Sequence, residues 1–443
     1  MPTSTPRIPF PSLLCALLPV LGCSGRHGRA TDGAPATDGS APADGLAPTG
    51  DPPPVEWHVG LGTDGEEHVH EGLQTSDGGF IGVGHTAERR GSKTDILVVK
   101  VAPDGQEQWT TRIGEDGQWD VGIAVLEVDG GYVVAGGRTI DGRQQSAIIK
   151  LDEEGSSVWS RTYHEDGAAA VRGLARLADG GLAATGYHGG SEPGFVFISD
   201  DGTGFLMVVD AEGRERWSVD IDPPQGTKIR QTPDGGFAVL STVWVWEGGR
   251  DLQNAAIVKT DATGTTEWIR TYGGAENNQA FDFDMTPEGG FVLAGHTTGF
   301  GAANWDCLMM SVDGDGTLEW STRLGQPRGY DPAFIHDECY GVRVDRDGGF
   351  VIAGGTGDEY DHSEDGHPSG RSDEWKGYLV KIDPAGSLVW AQVYGDAPGA
   401  GHNATEFLAL TADGGYLLLN DTDSAGPAAP NNFGFMKLSP AGR

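Results

Sequence analysis

TDATGTTEWIRTYGG, Thr260 to Gly274, joins an Asp-x-x-Gly turn to a short apolar run, with Trp268 four residues beyond Gly264. The skeleton recurs along the chain. Trp57, Trp109, Trp159, Trp217, Trp268, Trp320 and Trp390 make seven copies, spaced 50 to 58 residues apart except for a last step of 70. A second motif keeps step with it: Asp77, Asp129, Asp179, Asp234, Asp347 and Asp413 each open Asp-Gly-Gly, and Glu288 opens Glu-Gly-Gly. A period near fifty residues marks a unit that buries its apolar face only against its neighbours.

Each copy holds four strand-like runs, clearest in FDFDMTPEGGFVLAGHT (281–297), DCLMMSVDGDG (306–316) and LEWSTRLG (318–325). Asp before Gly-Gly is hairpin chemistry, because glycine accepts positive φ and the Asp side chain bonds the turn backbone. Seven copies of four antiparallel strands predict an all-β, seven-bladed β-propeller. The ends of the chain fit a closed ring. Trp57 has no Asp-x-x-Gly turn before it, and the C-terminal KLSPAGR has no Trp after it. The strand around Trp57 therefore completes the last blade as a latch, removing the open edge. All seven tryptophans are assigned structural roles.

Gly at 72 of 443 residues with a 37% hydrophobic fraction suits short strands and tight turns. A net charge of −35 argues against nucleic acid, which needs clustered Lys and Arg; a solvated acidic surface is its plain reading. Residues 1–22 read as an export signal: MPTSTPR, then the apolar IPFPSLLCALLPVLG, too short to span a bilayer comfortably. VLGC at Cys23 resembles the lipobox of bacterial lipoproteins, which implies removal of 1–22 and acylation of Cys23; ordinary secretion is the other reading. Ser24 stands where that family's inner-membrane retention signal has Asp, so the resemblance implies an outer-membrane address, periplasmic or surface-exposed. Residues 23–54, rich in Gly, Ala, Pro and Asp, read as a flexible tether, leaving 55–443 as the propeller.

The turn before each Trp strand resembles the tryptophan-docking repeat of quinoprotein dehydrogenases and of propeller lipoproteins of the outer-membrane assembly machinery. Asp152, Asp210, Asp261, Asp313 and Asp383 carry it, with their Gly and Trp partners. Here the Asp-to-Gly interval is one residue shorter, Ala102 replaces the first Asp, and the blades number seven where those families have eight. The resemblance implies a related docking of blades and not their chemistry. In style the chain more closely resembles exported bacterial propellers with Asp-Gly-Gly and Trp repeats.

Asp-Gly-Gly and Asp-x-x-Gly turns make one face of the disc short and uniform, so binding loops are expected on the other. Its longest loops are Tyr187 to Gly204, Thr242 to Asn254, Gly325 to Glu338, Gly355 to Lys376 and Asn420 to Phe433. Trp244 and Trp246 share a face if extended, which suits a sugar ring or a partner side chain; covering a neighbouring blade is the plain alternative. Asp358, Glu359, Asp361, His362, Glu364, Asp365 and His367 form an oxygen-rich loop that would admit calcium, or zinc through its histidines, although no known ligand spacing is matched. A solvated acidic loop is the plain reading. "DGDG" at Asp313 is a repeat turn rather than a calcium loop. Inner-strand entrances carry His68, His70, Asp120, Arg172, Lys228, Asp282, Asp284, Asp337, Glu338 and Glu406, a mostly acidic ring expected at the channel mouth. Propeller channels are also commonly lined by polar groups around water. Cys307 and Cys339 fall by strand count on different blades at different radii, which speaks against a bridge that an oxidising compartment would permit.

No nucleophile elbow, zinc-protease helix or phosphate loop is present. The expected function is a membrane-anchored, exported binding or scaffold propeller, monomeric, engaging a protein, glycan or envelope component through its long-loop face. No cofactor is expected beyond a possible calcium ion. The alternative is an exported hydrolase, lyase or oxidoreductase at the channel mouth, for which acid pairs such as Asp282 and Asp284 or Asp337 and Glu338 are the candidates.

Overall fold

The computed structural model describes residues 50–441 apart from residues 64, 88–92, 116, 192, 194–200, 248–249, 326, 328–334, 359–374, 396–400, 424 and 426–430. The expected signal segment, Cys23 and most of the expected tether lie outside these residues, as do Glu359, Asp361, His362, Glu364, Asp365, His367 and the side chain of Asp358. The described chain forms seven four-stranded antiparallel sheets and no helix. Blades one to six are consecutive. In blade seven the chain's first strand, Val55–Leu61, pairs with its last, Asn432–Leu438, placing Trp57 opposite Lys437 and Val59 opposite Phe435. The latch is therefore formed. Contacts begin slightly before the expected boundary at Val55: the Tyr394 hydroxyl donates to the Pro53 carbonyl at 2.7 Å, and the Ser439 N–H donates to the Pro54 carbonyl at 2.9 Å.

The core is divided among the seams between blades. One apolar cluster packs Val69, Phe80, Leu97 and Val99 of blade one against Phe407, Leu417, Leu419, Phe433 and Phe435 of blade seven, with Trp57, Val59 and Leu61 on its flank. The seam that closes the ring is built like the others; between blades four and five, Leu240 and Ile257 meet Phe283, Phe291 and Leu293.

The repeat motifs have separate tasks. In the Asp-Gly-Gly turn, Asp77 accepts the Gly79 N–H at 2.9 Å. It also takes an ion pair from Lys100, whose side chain is buried on the third strand. Lys259 with Asp234, Lys381 with Asp347 and Lys437 with Asp413 repeat the arrangement at 2.8, 2.7 and 2.9 Å. The Asp-x-x-Gly turn receives the Trp of the preceding blade. A Cβ on Gly155 would meet the Trp109 ring at 2.6 Å, and the indole N–H of Trp109 donates to the Glu153 carbonyl at 2.9 Å. Trp57 docks in the same way on Gly105 of blade one, so the latch strand also locks the next blade.

The expectation about the cysteines is overturned: Cys307 and Cys339 form a disulfide with Cα atoms 5.2 Å apart. They do lie on different blades, Cys307 on the third strand of blade five (Asp306–Val312) and Cys339 on the inner strand of blade six (Ile335–Val344). Strand rank misleads because neighbouring blades stack face to face with an offset. The Asp337 N–H reaches back to the Trp305 carbonyl at 2.8 Å, which sets blade six's inner strand beside blade five's third.

Candidate functional site at the channel mouth

The inner strands of blades one, two, three, five, six and seven share one irregularity. Each pairs with its second strand through a β-bulge whose extra residue is His70, Ile123, Arg172, Phe281, Tyr340 or Glu406. A bulge bends a strand and re-aims a side chain. Opposite five of these bulges stands a glycine, and it is there for lack of room: a Cβ on Gly84 would lie 1.9 Å from the His68 carbonyl oxygen, and one on Gly354 1.9 Å from that of Glu338. Blade four has Ser241 at this position and a regular register. Three of the ten candidate residues, His70, Arg172 and Glu406, owe their placement to this device.

Three groupings result. Near the closing seam, His68 of blade one contacts the Asp421 carboxylate of blade seven, and the Val69 N–H donates to the second Asp421 oxygen at 3.0 Å. The rings of His68 and His70 meet edge to face at 4.6 Å, and His70 Nε2 lies 3.0 Å from His85 Nδ1. Glu406 closes this group: one ligand atom each of His68, Glu406 and Asp421 falls within 4.8 Å of the others. Burial opposes charge on His68, but Asp421, with Glu406 and Glu66, raises its pKa to about 9. Burial, with Asp421 and Glu338, pushes Glu406 up to about 8 against the pull of His68. Burial holds His70 and His85 well below the usual histidine range.

The second grouping spans the channel. Lys228 of blade four pairs with Glu71 of blade one, and its ammonium lies 5.0 Å from the centre of the Phe407 ring. Asp282, fully buried, pairs with Arg343 of blade six and lies 3.6 Å from Arg230 of blade four. Arg230 also approaches Asp284 at 3.8 Å. Burial alone would raise the Asp282 carboxyl; Arg343, Arg230 and Lys228 bring it below the usual range. At this depth the expected acidic ring is instead a set of matched charges.

The third lies between blades five and six. Glu338 accepts the Tyr340 hydroxyl at 2.5 Å and faces His336 Nδ1 at 3.3 Å. His296 packs among Phe281, Trp305 and Tyr340, with no hydrogen-bond partner for Nδ1 among the described residues. Burial lowers its pKa to about 4. An unfolded histidine titrates near 6.5, so from about pH 6.5 down to 4 the unfolded chain holds a proton that the ring lacks. Stability from this site is complete above pH 6.5 and is lost as pH falls through that window, by about 2–3 kcal/mol. His296→Gln is therefore expected to lose less stability than the wild type between pH 7.5 and 4.5 in urea unfolding; equal losses would contradict this.

Two candidates also take part in docking the blades. Asp120 accepts the Thr139 N–H at 2.7 Å and the Glu115 N–H at 3.1 Å, and its own N–H donates to the Thr94 carbonyl at 2.9 Å. Asp337 makes the equivalent backbone bond to Trp305, and Asn403 the one to Trp375 at 2.8 Å. These residues dock one blade on the next. Asp421 is the member that sequence reasoning missed. It sits on the second strand of blade seven, at the end of YLLLND, where FIGVGH of blade one has a histidine.

On the long-loop face, the described residues of Thr242 to Asn254 are paired strand rather than irregular loop. The two strands, Phe237–Glu247 and Arg250–Thr260, run 11 residues each against 7 to 10 in the other blades' second and third strands. Trp244 faces Gln253 and Trp246 faces Asp251 across the pair. At 39% and 65% exposed, neither tryptophan is buried beneath a neighbouring blade. The third strand is braced by the connection that leads into blade five: Arg250 donates to the Ala275 carbonyl at 2.7 Å, and the Gln253 N–H donates to Asn277 at 3.0 Å.

No protein-family model and no curated protein matches the chain. Solved structures that it resembles include the WD40 domain of Neurospora crassa Pan2, at 12% identity over 86% of this chain and 94% of that one, TM-score 0.53. The WD40 propeller domain of Doa1 aligns at 12% identity over 87% and 96%, TM-score 0.50. A protein of unknown function from Dyadobacter fermentans aligns at 12% over 87% and 98%, TM-score 0.48. At these identities the likeness is one of fold.

Proposed function

We propose that the chain is an exported binding propeller, tethered through Cys23 to the bacterial outer membrane, that grips a protein or glycan partner with the Trp244–Trp246 hairpin. One observation carries the reading: two large aromatic side chains stand exposed on a braced extension of blade four. Exposed tryptophans on a paired strand supply contact area with less ordering entropy to lose than on an irregular loop, as binding anchors do. The disulfide accords with an oxidising compartment. On this reading the chain acts as a monomer, with the uniform face as scaffold.

Hydrogen exchange of the full chain, with and without detergent-extracted cell envelope, tests the reading. Slowing is expected in residues 242–254 and is expected to vanish in Trp244→Ala/Trp246→Ala; no slowing, or equal slowing on both faces, would count against it. Cys23→Ser is expected to release the chain from membranes, and continued retention would reject the anchor.

The alternative, an exported hydrolase, lyase or oxidoreductase, is favoured by the convergence of His68, Glu406 and Asp421 at the channel mouth. It predicts a ligand whose binding survives loss of both tryptophans.

A further inference from the structure

The His68, Glu406 and Asp421 group has an arrangement that neither blade docking nor the tryptophan hairpin requires. The three residues come from two blades that meet only through ring closure, His68 from blade one and the two carboxylates from blade seven. Asp421 is fixed by the Val69 N–H on one oxygen, leaving the other toward His68. Glu406 is put into the group by its bulge. Its residue is only 7% exposed, and its carboxylate accepts no hydrogen bond among the described residues. Two acids and one imidazole, brought from two blades to one point, form a donor set of the kind that holds a metal ion.

We infer that His68, Glu406 and Asp421 form a binding site for a first-row divalent cation of the zinc class, at the seam that closes the ring. The donor set is one imidazole nitrogen and two carboxylate oxygens, which bind an ion by releasing the protons they hold. Nitrogen among the donors selects zinc-like ions over calcium and magnesium, which prefer oxygen. Bond lengths to zinc are about 2.0–2.2 Å for nitrogen and oxygen, so ligand atoms within 4.8 Å of one another need only small side-chain shifts to surround an ion. His68 keeps 20% of its side chain exposed, so the group is not sealed from solvent. Three protein ligands leave a fourth position for water or a small anionic ligand, as in catalytic rather than structural zinc sites. The inference is independent of the tryptophan-hairpin reading.

The test is calorimetric titration of zinc into the untagged, chelator-treated full chain, with melting temperature and the visible absorption of a cobalt(II) substitute as second and third readouts. One saturable site per chain, a zinc-dependent rise in melting temperature and a cobalt band are expected. Glu406→Gln keeps the shape of the side chain and is expected to weaken zinc at least ten-fold, as are His68→Ala and Asp421→Asn. The exposed charge control Glu288→Gln is expected to bind as the wild type does. If a variant fails to fold, the isosteric Glu406→Gln carries the comparison. Absence of saturable zinc binding, unchanged affinity in Glu406→Gln, or calcium bound as tightly as zinc would overturn the inference.

Discussion

A chain lacking residues 50–61 is expected to lose its single cooperative melt and to self-associate. The deletion removes the outer strand of blade seven, which joins Asn432–Leu438 through six paired residues. At about 1 kcal/mol for each backbone hydrogen bond, and with Trp57, Val59 and Leu61 taken off the flank of the closing seam, the loss is on the order of 5–10 kcal/mol. That is comparable with the whole stability of a typical domain. The exposed third strand becomes an unpaired edge, a template for pairing with another chain. Trp57→Ala alone should cost about 2–3 kcal/mol, because the ring is half-buried on Gly105. Calorimetry with light scattering checks both; a truncated chain that melts as the full one does would show that the ring closes without its latch.

The second large effect is expected at Arg343. Its guanidinium pairs with Asp282 and lies 4.8 Å from the centre of the Phe407 ring. Arg343→Ala leaves a fully buried carboxylate with Arg230 at 3.6 Å as its nearest remaining ion-pair partner. Breaking a buried pair on one side commonly costs about 3–5 kcal/mol, and that range is expected in urea unfolding. Adding Asp282→Asn removes the stranded charge and should recover part of the loss, so the double variant is expected to fall short of the sum of the two singles. A loss below about 1 kcal/mol for Arg343→Ala would show that the cross-channel charges are solvated rather than paired.

The architecture was legible because its determinants are local. An Asp-Gly-Gly hairpin and a Trp docked on the next blade's turn glycine leave the same residues in every copy, and Trp57 and the terminal KLSPAGR disclosed the closure through what each lacks. The site was only half legible. Inner-strand counting found His68, His70, Arg172, Lys228, Asp282, Glu338 and Glu406, but it also gathered Asp120 and Asp337, whose backbone groups dock blades. It missed Asp421 because 353 positions separate that residue from His68 and only ring closure unites them. The bulges that set side-chain direction leave one trace in the sequence, the glycine four residues after the aromatic or leucine that follows Gly-Gly, as at Gly84, Gly136, Gly186, Gly295 and Gly354. The buried lysines of the third strands, Lys100, Lys259, Lys381 and Lys437, could have been paired with the turn aspartates by the same comparison of copies. Strand rank does not disclose the disulfide, because stacked blades bring a third strand beside the next inner strand.

On the proposed function, one face of the disc binds the partner and the other supports it. Site-specific photo-cross-linking in intact cells, from Trp246 on the hairpin and from Glu288 on the opposite face, tests it most directly. A discrete adduct from position 246, absent from position 288, is the predicted result; adducts from position 288 alone, or the same adducts from both, would contradict it.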